Sequence, residues 1–361
     1  LGMEHPWRYR NKAQFPFGRD KDGRIIAGFY AGRTHHIVEA EDCLLGVEEN
    51  AVILDIIKKI MEEYQIAPYD EETHKGLIRH ALIRKGFSNG ELMVCLVING
   101  KKLPHADIFV ERLKEVPGMT SISYNINQEK TNVILGAELV NLYGPGYITD
   151  KIGNVSYQIS PLSFYQVNPE QTEKLYSKAV SCAELKKGDR VIDAYCGTGT
   201  IGLIAAKSGA DVAGVELNAE AVKDAVSNAK LNKLDNIRFY NEDAGEFMTK
   251  LAQAGESCDT VFLDPPRAGT TEEFVEALGK LRPEKIVYVS CKIETLERDL
   301  KLLAKIGYKA QLIQPVDMFP HTTGIENVVL LKRKMISLTP NRTPDKKGDK
   351  KIERKGKTSH R

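Results

Sequence analysis

Apolar residues recur at helical spacing from Val52 to Tyr64, at positions 52, 53, 56, 57, 60, 61 and 64, which predicts a helix with one buried face. Upstream, Ile25–Tyr30 reads as a strand closed by a Gly32-Arg33 turn. Leu77–Lys85 and Glu91–Ile98 predict two strands around Ser88-Asn89-Gly90, a hairpin signal. Ala106–Val116 has a helical pattern, and Ser121–Gln128 with Asn132–Leu139 predicts another strand pair. Tyr147–Asp150 and Ser156–Ile159 are further short strands. Residues 1–160 therefore predict a mixed α+β region whose element order reveals no chemistry.

The pattern changes after Asn168-Pro169, where an N-cap residue precedes a proline suited to the first helical turn. Glu170–Leu185 continues as a helix. Strands at Arg190–Ala194, Asp211–Glu216, Ile237–Tyr240, Thr260–Leu263 and Lys285–Ser290 then alternate with helices at Gly199–Lys207, Ala219–Leu231, Ala244–Leu251, Thr271–Gly279 and Ile293–Ala304. Lys309–Val316 and Asn327–Lys332 have no helix between them and predict an antiparallel pair. Short apolar strands alternating with helices predict an α/β fold, a doubly wound, mainly parallel sheet covered on both faces. No internal repeat is visible.

Composition narrows the class. The chain has 361 residues, 42% hydrophobic and 28% charged, enough to bury a core without disulfides or metal. No apolar run approaches the roughly 18 residues of a membrane span. Six cysteines without a C-x-x-C pair, and no secretory leader, point to reduced thiols and the cytoplasm. A start on Leu1 reads as a fragment. The net charge is +2, but Asn341 to Arg361 carries nine Lys/Arg against three Asp/Glu, leaving residues 1–340 at −4. Residues 336–361 read as a basic disordered tail, with polyanion binding as the sharper reading. Arg8, Arg10, Lys12, Arg19, Lys21 and Arg24 lie among Trp7, Tyr9, Phe15 and Phe17, a weak nucleic-acid signal.

The chemistry concentrates after the change of pattern. Gly197, Gly199 and Gly202 satisfy G-x-G-x-x-G between a strand and a helix, and Glu216 ends the next strand 19 residues after Gly197. Glycines let a ligand approach the backbone, and the carboxylate can accept from ribose hydroxyls. Dinucleotides and S-adenosylmethionine share this pattern. Asp193, just before the loop, favours the second, and Asp193-Ala194-Tyr195-Cys196-Gly197-Thr198-Gly199 resembles the first motif of class I methyltransferases. Asp243, after the third strand, stands where those enzymes place a residue near the adenine, and also reads as a helix N-cap.

Asp264-Pro265-Pro266-Arg267 forms a rigid turn after the fourth strand, in the same crevice. Methyltransferases of exocyclic amines use a similar turn followed by an aromatic, so Arg267 counts against amine methylation. Cys291 follows the fifth strand and precedes a helix, whose amino end and Lys292 are expected to favour the thiolate. Glu326 lies just before the last strand. A thiol nucleophile and a carboxylate beside a methyl donor suit one difficult reaction. Uracil C5 becomes nucleophilic only after a thiolate adds at C6, and a base must then remove the C5 proton. Cys291 is the expected nucleophile and Glu326 the expected base.

Ser160-Pro161-Leu162-Ser163-Phe164-Tyr165-Gln166-Val167-Asn168, Asp264-Pro265-Pro266-Arg267, Ser290-Cys291 and His321 to Glu326 occur in this order. Over residues 5–335 the chain closely resembles the bacterial RNA uracil-C5 methyltransferase family, in particular its 23S ribosomal RNA branch. The resemblance implies an S-adenosylmethionine-dependent enzyme making 5-methyluridine, with 23S ribosomal RNA as partner and tRNA as the alternative substrate. It implies donor contacts from Gln166, Tyr195, Glu216 and Asp264, with Asp243 and Thr200 beside them, and places Phe164 near the target base. It divides the chain into a 1–160 RNA-binding central domain, a 161–335 catalytic domain and the tail. Ribosomal members begin with a small β-barrel and a cysteine cluster holding a [4Fe–4S] centre. Neither is in this chain. Cys43 resembles the fourth ligand, so a cluster is expected only in a longer protein. An NAD-dependent oxidoreductase and a non-catalytic RNA-binding protein remain the rival classes. The first has no need of Cys291 or Asp264-Pro265-Pro266-Arg267, and the second leaves Cys291 and Glu326 idle.

Overall fold

The structure, a computed structural model, describes residues 1–334; the basic tail lies outside them. Its first half contains β1 (Lys12–Arg19), β2 (Ile25–Tyr30), β3 (Ile37–Glu39), α1 (Glu49–Glu63), β4 (Ile78–Lys85), β5 (Leu92–Ile98), α2 (Ala106–Leu113), β6 (Met119–Ile126) and β7 (Glu138–Tyr143). These strands form one sheet in the order β3-β2-β1-β4-β5-β6-β7, antiparallel except for β5 with β6. Helices α1 and α2 cover one face, burying Ile53, Ile57, Ile60, Phe109 and Leu113 against Phe15, Ile83, Val94 and Ile122.

Two readings of this half need correction. β1 escapes the sequence pattern because Pro16 and basic residues interrupt it. Pro16 is tolerated because β1 changes neighbours there, pairing β4 through Lys12–Pro16 and β2 through Phe17–Arg19. The strand expected at Asn132–Leu139 instead spans Glu138–Tyr143. The stretch before it is a loop held by side-chain amides. Asn127 Nδ2 donates to the carbonyls of Val133 and Ile134, and Asn125 bonds both backbone groups of Gly136. Asparagine supplies here what a strand neighbour would have supplied.

A hairpin follows, β8 (Ile148–Ile152) with β9 (Val155–Ile159). Its outer N–H groups are capped by helix side chains: Ser156 N–H donates to Asn232 and Gln158 N–H to Asn228. Ile148, Val155 and Tyr157 join the core of the second sheet, as do Leu82 and Met93 from the first.

The second sheet is built from α3 (Pro169–Ala183), β10 (Arg190–Ala194), α4 (Thr200–Ala206), β11 (Asp211–Glu216), α5 (Ala219–Leu231), β12 (Ile237–Asn241), α6 (Ala244–Gln253), β13 (Thr260–Leu263), α7 (Glu272–Leu281), β14 (Lys285–Ser290), α8 (Ile293–Lys305), β15 (Tyr308–Val316) and β16 (Glu326–Arg333). The expected cap forms: the Asn168 side chain accepts from Gln171 N–H, with Pro169 in the first turn. Strand order is β12-β11-β10-β13-β14-β16-β15, parallel from β12 to β14, with β16 antiparallel to β14 and β15. This is the expected doubly wound, mainly parallel sheet with an antiparallel last strand. Strand order reverses between β10 and β13, and that switch point opens the crevice where such sheets bind ligands.

Segment 1–11 is strapped across the second half. Asn11 N–H donates to Val167 O and Asn11 Nδ2 to Gln166 O, while Tyr9 Oη donates to Pro320 O. Trp7 stacks on His321 at 4.0 Å. The strap braces the two loops that carry Gln166 and the approach to Glu326.

Candidate active site

The glycine loop after β10 is shaped by its backbone. Tyr195, Gly197 and Gly199 all have positive φ, at 64°, 54° and 82°. For Tyr195 that conformation costs roughly 1–3 kcal/mol, the kind of strain that collects at ligand sites. A Cβ at Gly197 would meet nothing within 4 Å, so the loop presents open backbone to the crevice. Gly199 has the opposite surroundings: a Cβ there would sit 2.9 Å from the Phe239 ring.

Acids surround this loop. Glu216 Oε2 accepts from Gly197 N–H at 3.0 Å and Oε1 from Asn218 N–H at 2.8 Å, which fixes the carboxylate and leaves a lone pair on each oxygen. Asp193 is buried; its Oδ2 accepts from Gly202 N–H at 2.7 Å and Oδ1 has no partner. Burial pushes its carboxyl up to about 8, and the charges of Asp264 and Glu216 push the same way. Asp243 caps α6 by accepting from Gly245 and Glu246 N–H through one oxygen, so its second oxygen is left for another partner. Tyr195 packs on Phe274 and feels the charge of Asp243. Thr200 opens α4, its carbonyl accepting from Tyr157 Oη at 3.2 Å.

The second group lies at the ends of β13, β14 and β16. Cys291 follows β14 and is half-buried; Glu326 opens β16 and is 4% exposed. Ser290 and Asn327 are register partners, so the two chemical residues flank one rung of the ladder. Burial pushes Glu326 up to about 8, and nearby Asp264 adds to the shift. Asp264 itself is raised to about 7 by burial, opposed by the Tyr176 hydroxyl. The expectation for Cys291 needs correction. Its thiol is raised, first by burial and then by Glu326 and Asp264, and the cation that opposes them is Arg267. The helix end and Lys292 do not outweigh two carboxylates in a half-buried site.

Phe164 is 67% exposed, beside the loop whose Ser163 O accepts from the buried Arg84 Nη2 at 3.0 Å. Gln166 sits on the same loop, held through its carbonyl by Asn11. Cys43 is half-buried in a loop tied to the strap, its carbonyl accepting from Arg8 Nη1. Among the described residues no three His, Cys, Asp or Glu side chains group as metal ligands, so the residues present do not fit a four-thiolate cluster. A cavity of 430 Å³ lined by Arg190, Asp211 and Cys258 lies at the amino ends of the strands, opposite this chemistry.

Three residues of the site were missed in the sequence. Tyr176, beside Gln166 and Asp264, falls on the apolar face of α3 and reads as core. Asp299 is fully buried and accepts from Thr270 N–H and Tyr288 Oη, at 2.8 and 2.7 Å, anchoring the loop that continues from Arg267. Arg84, buried in a strand, gave no signal at all. A polar residue on a helix's apolar face was the one cue available, and it marked Asp299.

The raised Glu326 has a stability consequence. The fold keeps its proton up to about pH 8, whereas an ordinary glutamate loses it near 4.5. Across that window the folded chain binds more protons than the unfolded chain, so this group makes stability fall as pH rises. Glu326→Gln removes the effect. Relative to the native chain it should gain about 1–4 kcal/mol between pH 4.5 and pH values above 8. Melting curves at both ends check this; an equal difference at both pH values contradicts it.

Residues 8–334 match the family described as tRNA (Uracil-5-)-methyltransferase. An RNA methyltransferase of Clostridium tetani is 45% identical over 332 residues, 92% of this chain and 72% of that protein. One from Halalkalibacterium halodurans is 45% identical over 335 residues, covering 92% and 73%. The Pyrococcus abyssi tRNA (uracil-54, C5)-methyltransferase, solved with S-adenosyl-L-homocysteine, superposes with a TM-score of 0.79 at 30% identity, covering 92% of this chain and 78% of that one. Among the described residues no helix is long and apolar enough to cross a membrane. With a glycine loop, an Asp-Pro-Pro-Arg turn and a cysteine–glutamate pair meeting at one switch point, the chain belongs to the tRNA (uracil-5-)-methyltransferase family and is an RNA methyltransferase.

Proposed function

We propose that the chain transfers a methyl group from S-adenosylmethionine to C5 of uridine in RNA, through a covalent bond between Cys291 and uracil C6. The carrying observation is the convergence of Cys291, Glu326, Asp264 and Arg267 at the carboxyl ends of β13 and β14, beside the glycine loop. A dehydrogenase has no use for that group, and a passive RNA binder would not keep a buried, proton-holding glutamate next to a thiol.

The donor fits the crevice on electrostatic grounds. Glu216, Asp243 and Asp264 line it, with Asp193 buried beneath the loop against Gly202 N–H, and their ionised forms suit a ligand bearing a sulfonium and an ammonium and oppose the pyrophosphate of a dinucleotide. Gln166, Tyr195, Gly197, Glu216, Asp243 and Asp264 would hold it. When bound, S-adenosylmethionine supplies an electrophilic methyl group. Cys291 adds to C6 as a thiolate, Arg267 countering the carboxylates that oppose ionisation. The electron pair passes to C5 and the C4 oxygen, and C5 takes the methyl as its bond to the donor sulfur breaks, the sulfur leaving as a neutral thioether. Glu326, in its ionised form, accepts the C5 proton, and the Cys291–C6 bond breaks to restore the double bond and the thiolate. The target must be unpaired or flipped for either atom to be reached, and Phe164 stands exposed where such a base would arrive.

The RNA is proposed to be 23S ribosomal RNA, supported by Cys43 and Trp7-Arg8-Tyr9-Arg10-Asn11-Lys12, which Arg8 ties into one unit. The likeness to the P. abyssi enzyme favours tRNA as the second reading. Donor-labelled transfer to unmodified transcripts of each, with mapping of 5-methyluridine, separates them. Label in tRNA alone would reject the ribosomal reading, and label in neither would reject both. Glu216→Ala should weaken S-adenosylmethionine binding by roughly 1.5–3 kcal/mol, the scale for hydrogen bonds to a charged group. Unchanged affinity in calorimetry would remove Glu216 from the donor site.

A further inference from the structure

A cavity of 390 Å³ opens on the first sheet, at the end of β4 remote from the active site. That volume is in the range of small-ligand sites, roughly 300–1,000 Å³. Its walls are Tyr30, Arg33, His35, Glu71, Arg79 and His80, closed by the loop 131–134. The reaction above uses none of them.

The chemistry of the walls is specific. Tyr30 meets His35 and His80 edge-on, with ring centroids 5.7 and 6.3 Å apart. His80 is 4% exposed and its Nδ1 has no hydrogen-bond partner. Burial lowers His80 to about 4, so the ring is neutral and carries one donor and one acceptor. Arg79 is buried, gives its guanidinium to the carbonyls of Asn127 and Glu129, and leaves Nε unpartnered. Glu71 pairs with it only at 3.6 Å, keeping acceptor capacity. Arg33 is exposed at the rim, with φ 64°. Aromatic faces, unspent donors and acceptors, and a cation at the mouth describe a site for a flat hydrogen-bonding ring attached to a phosphate.

The position of the cavity says where that ring comes from. His80 and Arg84 share one face of β4, about 13 Å apart at strand spacing. Arg84 holds the Ser163 carbonyl beside Phe164. Lys12, Gln14 and Pro16 of β1 are in register with Arg84, Leu82 and His80, so the two places lie at opposite ends of one strip, buried at Leu82 and partly exposed at Lys12 and Gln14. We infer that the cavity binds an unpaired nucleoside of the same RNA, several nucleotides away from the target uridine. This rests on the RNA methylation proposed above.

Ultraviolet cross-linking of labelled oligouridylate to the full chain, followed by peptide mass mapping, tests it. Two cross-linked regions are expected, one containing Phe164 and one containing Tyr30 or His80. Tyr30→Ala should remove the second, keep the first and weaken oligouridylate binding about tenfold, the scale of one base–aromatic stack. Arg33→Ala, at an exposed position, should weaken binding severalfold without lowering Tm, so the result does not depend on folding of the Tyr30 variant. Cross-links at Phe164 alone, with both variants binding like the native chain, would overturn the second site and leave the methylation reading intact. Saturable binding of free uridine monophosphate, with RNA binding unchanged in Tyr30→Ala, would overturn RNA as the source. No cross-link in either region would count against both inferences, and donor-labelled transfer reads the methylation reading independently.

Discussion

Cys291→Ala should abolish methyl transfer and leave no covalent RNA complex. The alanine side chain cannot add to C6, and without that bond C5 lacks the electron pair needed to attack a methyl group. The expected loss is roughly 10⁴-fold or more, the scale for removing a nucleophile that acts as part of a unit. Binding should survive, because the glycine loop and Glu216 lie on other strands. The site explains how the native thiol must be used. Burial, Glu326 and Asp264 all favour the protonated form, with Arg267 as the opposing cation. The free protein therefore protects its nucleophile, and activity should rise with pH from the range where Asp264 and Glu326 hold protons, about 7 and 8. Full activity in Cys291→Ala would replace the C5 reading with direct methylation of a heteroatom.

Glu326→Gln should act on the other side of methyl transfer. Addition and methylation need no base at this position, but loss of the C5 proton does. Turnover should fall about 10²–10⁴-fold, the usual contribution of a general base, while a methylated adduct accumulates. Electrophoresis under denaturing conditions should show protein and RNA migrating together with label from the donor methyl. The Cys291→Ala, Glu326→Gln double variant should show none. Turnover at the native rate would pass the role to His321, which lies in the loop before β16 and stacks on Trp7 of the strap, or to water held by a neighbour.

The second sheet was legible almost residue by residue. Its strands are short apolar runs, its helices carry caps such as Asn168 and Asp243, and its motifs sit at strand ends where parallel sheets expose them. The first sheet was less so. Pro16 disguised β1, and side-chain amides at Asn125 and Asn127 replaced strand pairing that the alternation implied. Cys291 and Glu326 were singled out from chemistry and from a family likeness. Their electrostatics were not legible. The Cys291 shift depends first on burial and then on Glu326 coming down beside it on β16, a tertiary environment that local sequence does not carry. Tyr176 was hidden for the same reason, since it lies on a helix and meets Asp264 far along the chain, whereas Asp299 left a cue as a polar residue on the apolar face of α8.

The most direct test of the account is the mass of the trapped species. Glu326→Gln, incubated with substrate RNA and S-adenosylmethionine and then digested with nuclease and protease, should yield one modified peptide. That peptide should contain Cys291, with C6 of the uridine bonded to sulfur and both a methyl group and the original proton on C5. An adduct on another residue, or a variant that turns over freely with no adduct at all, would contradict it.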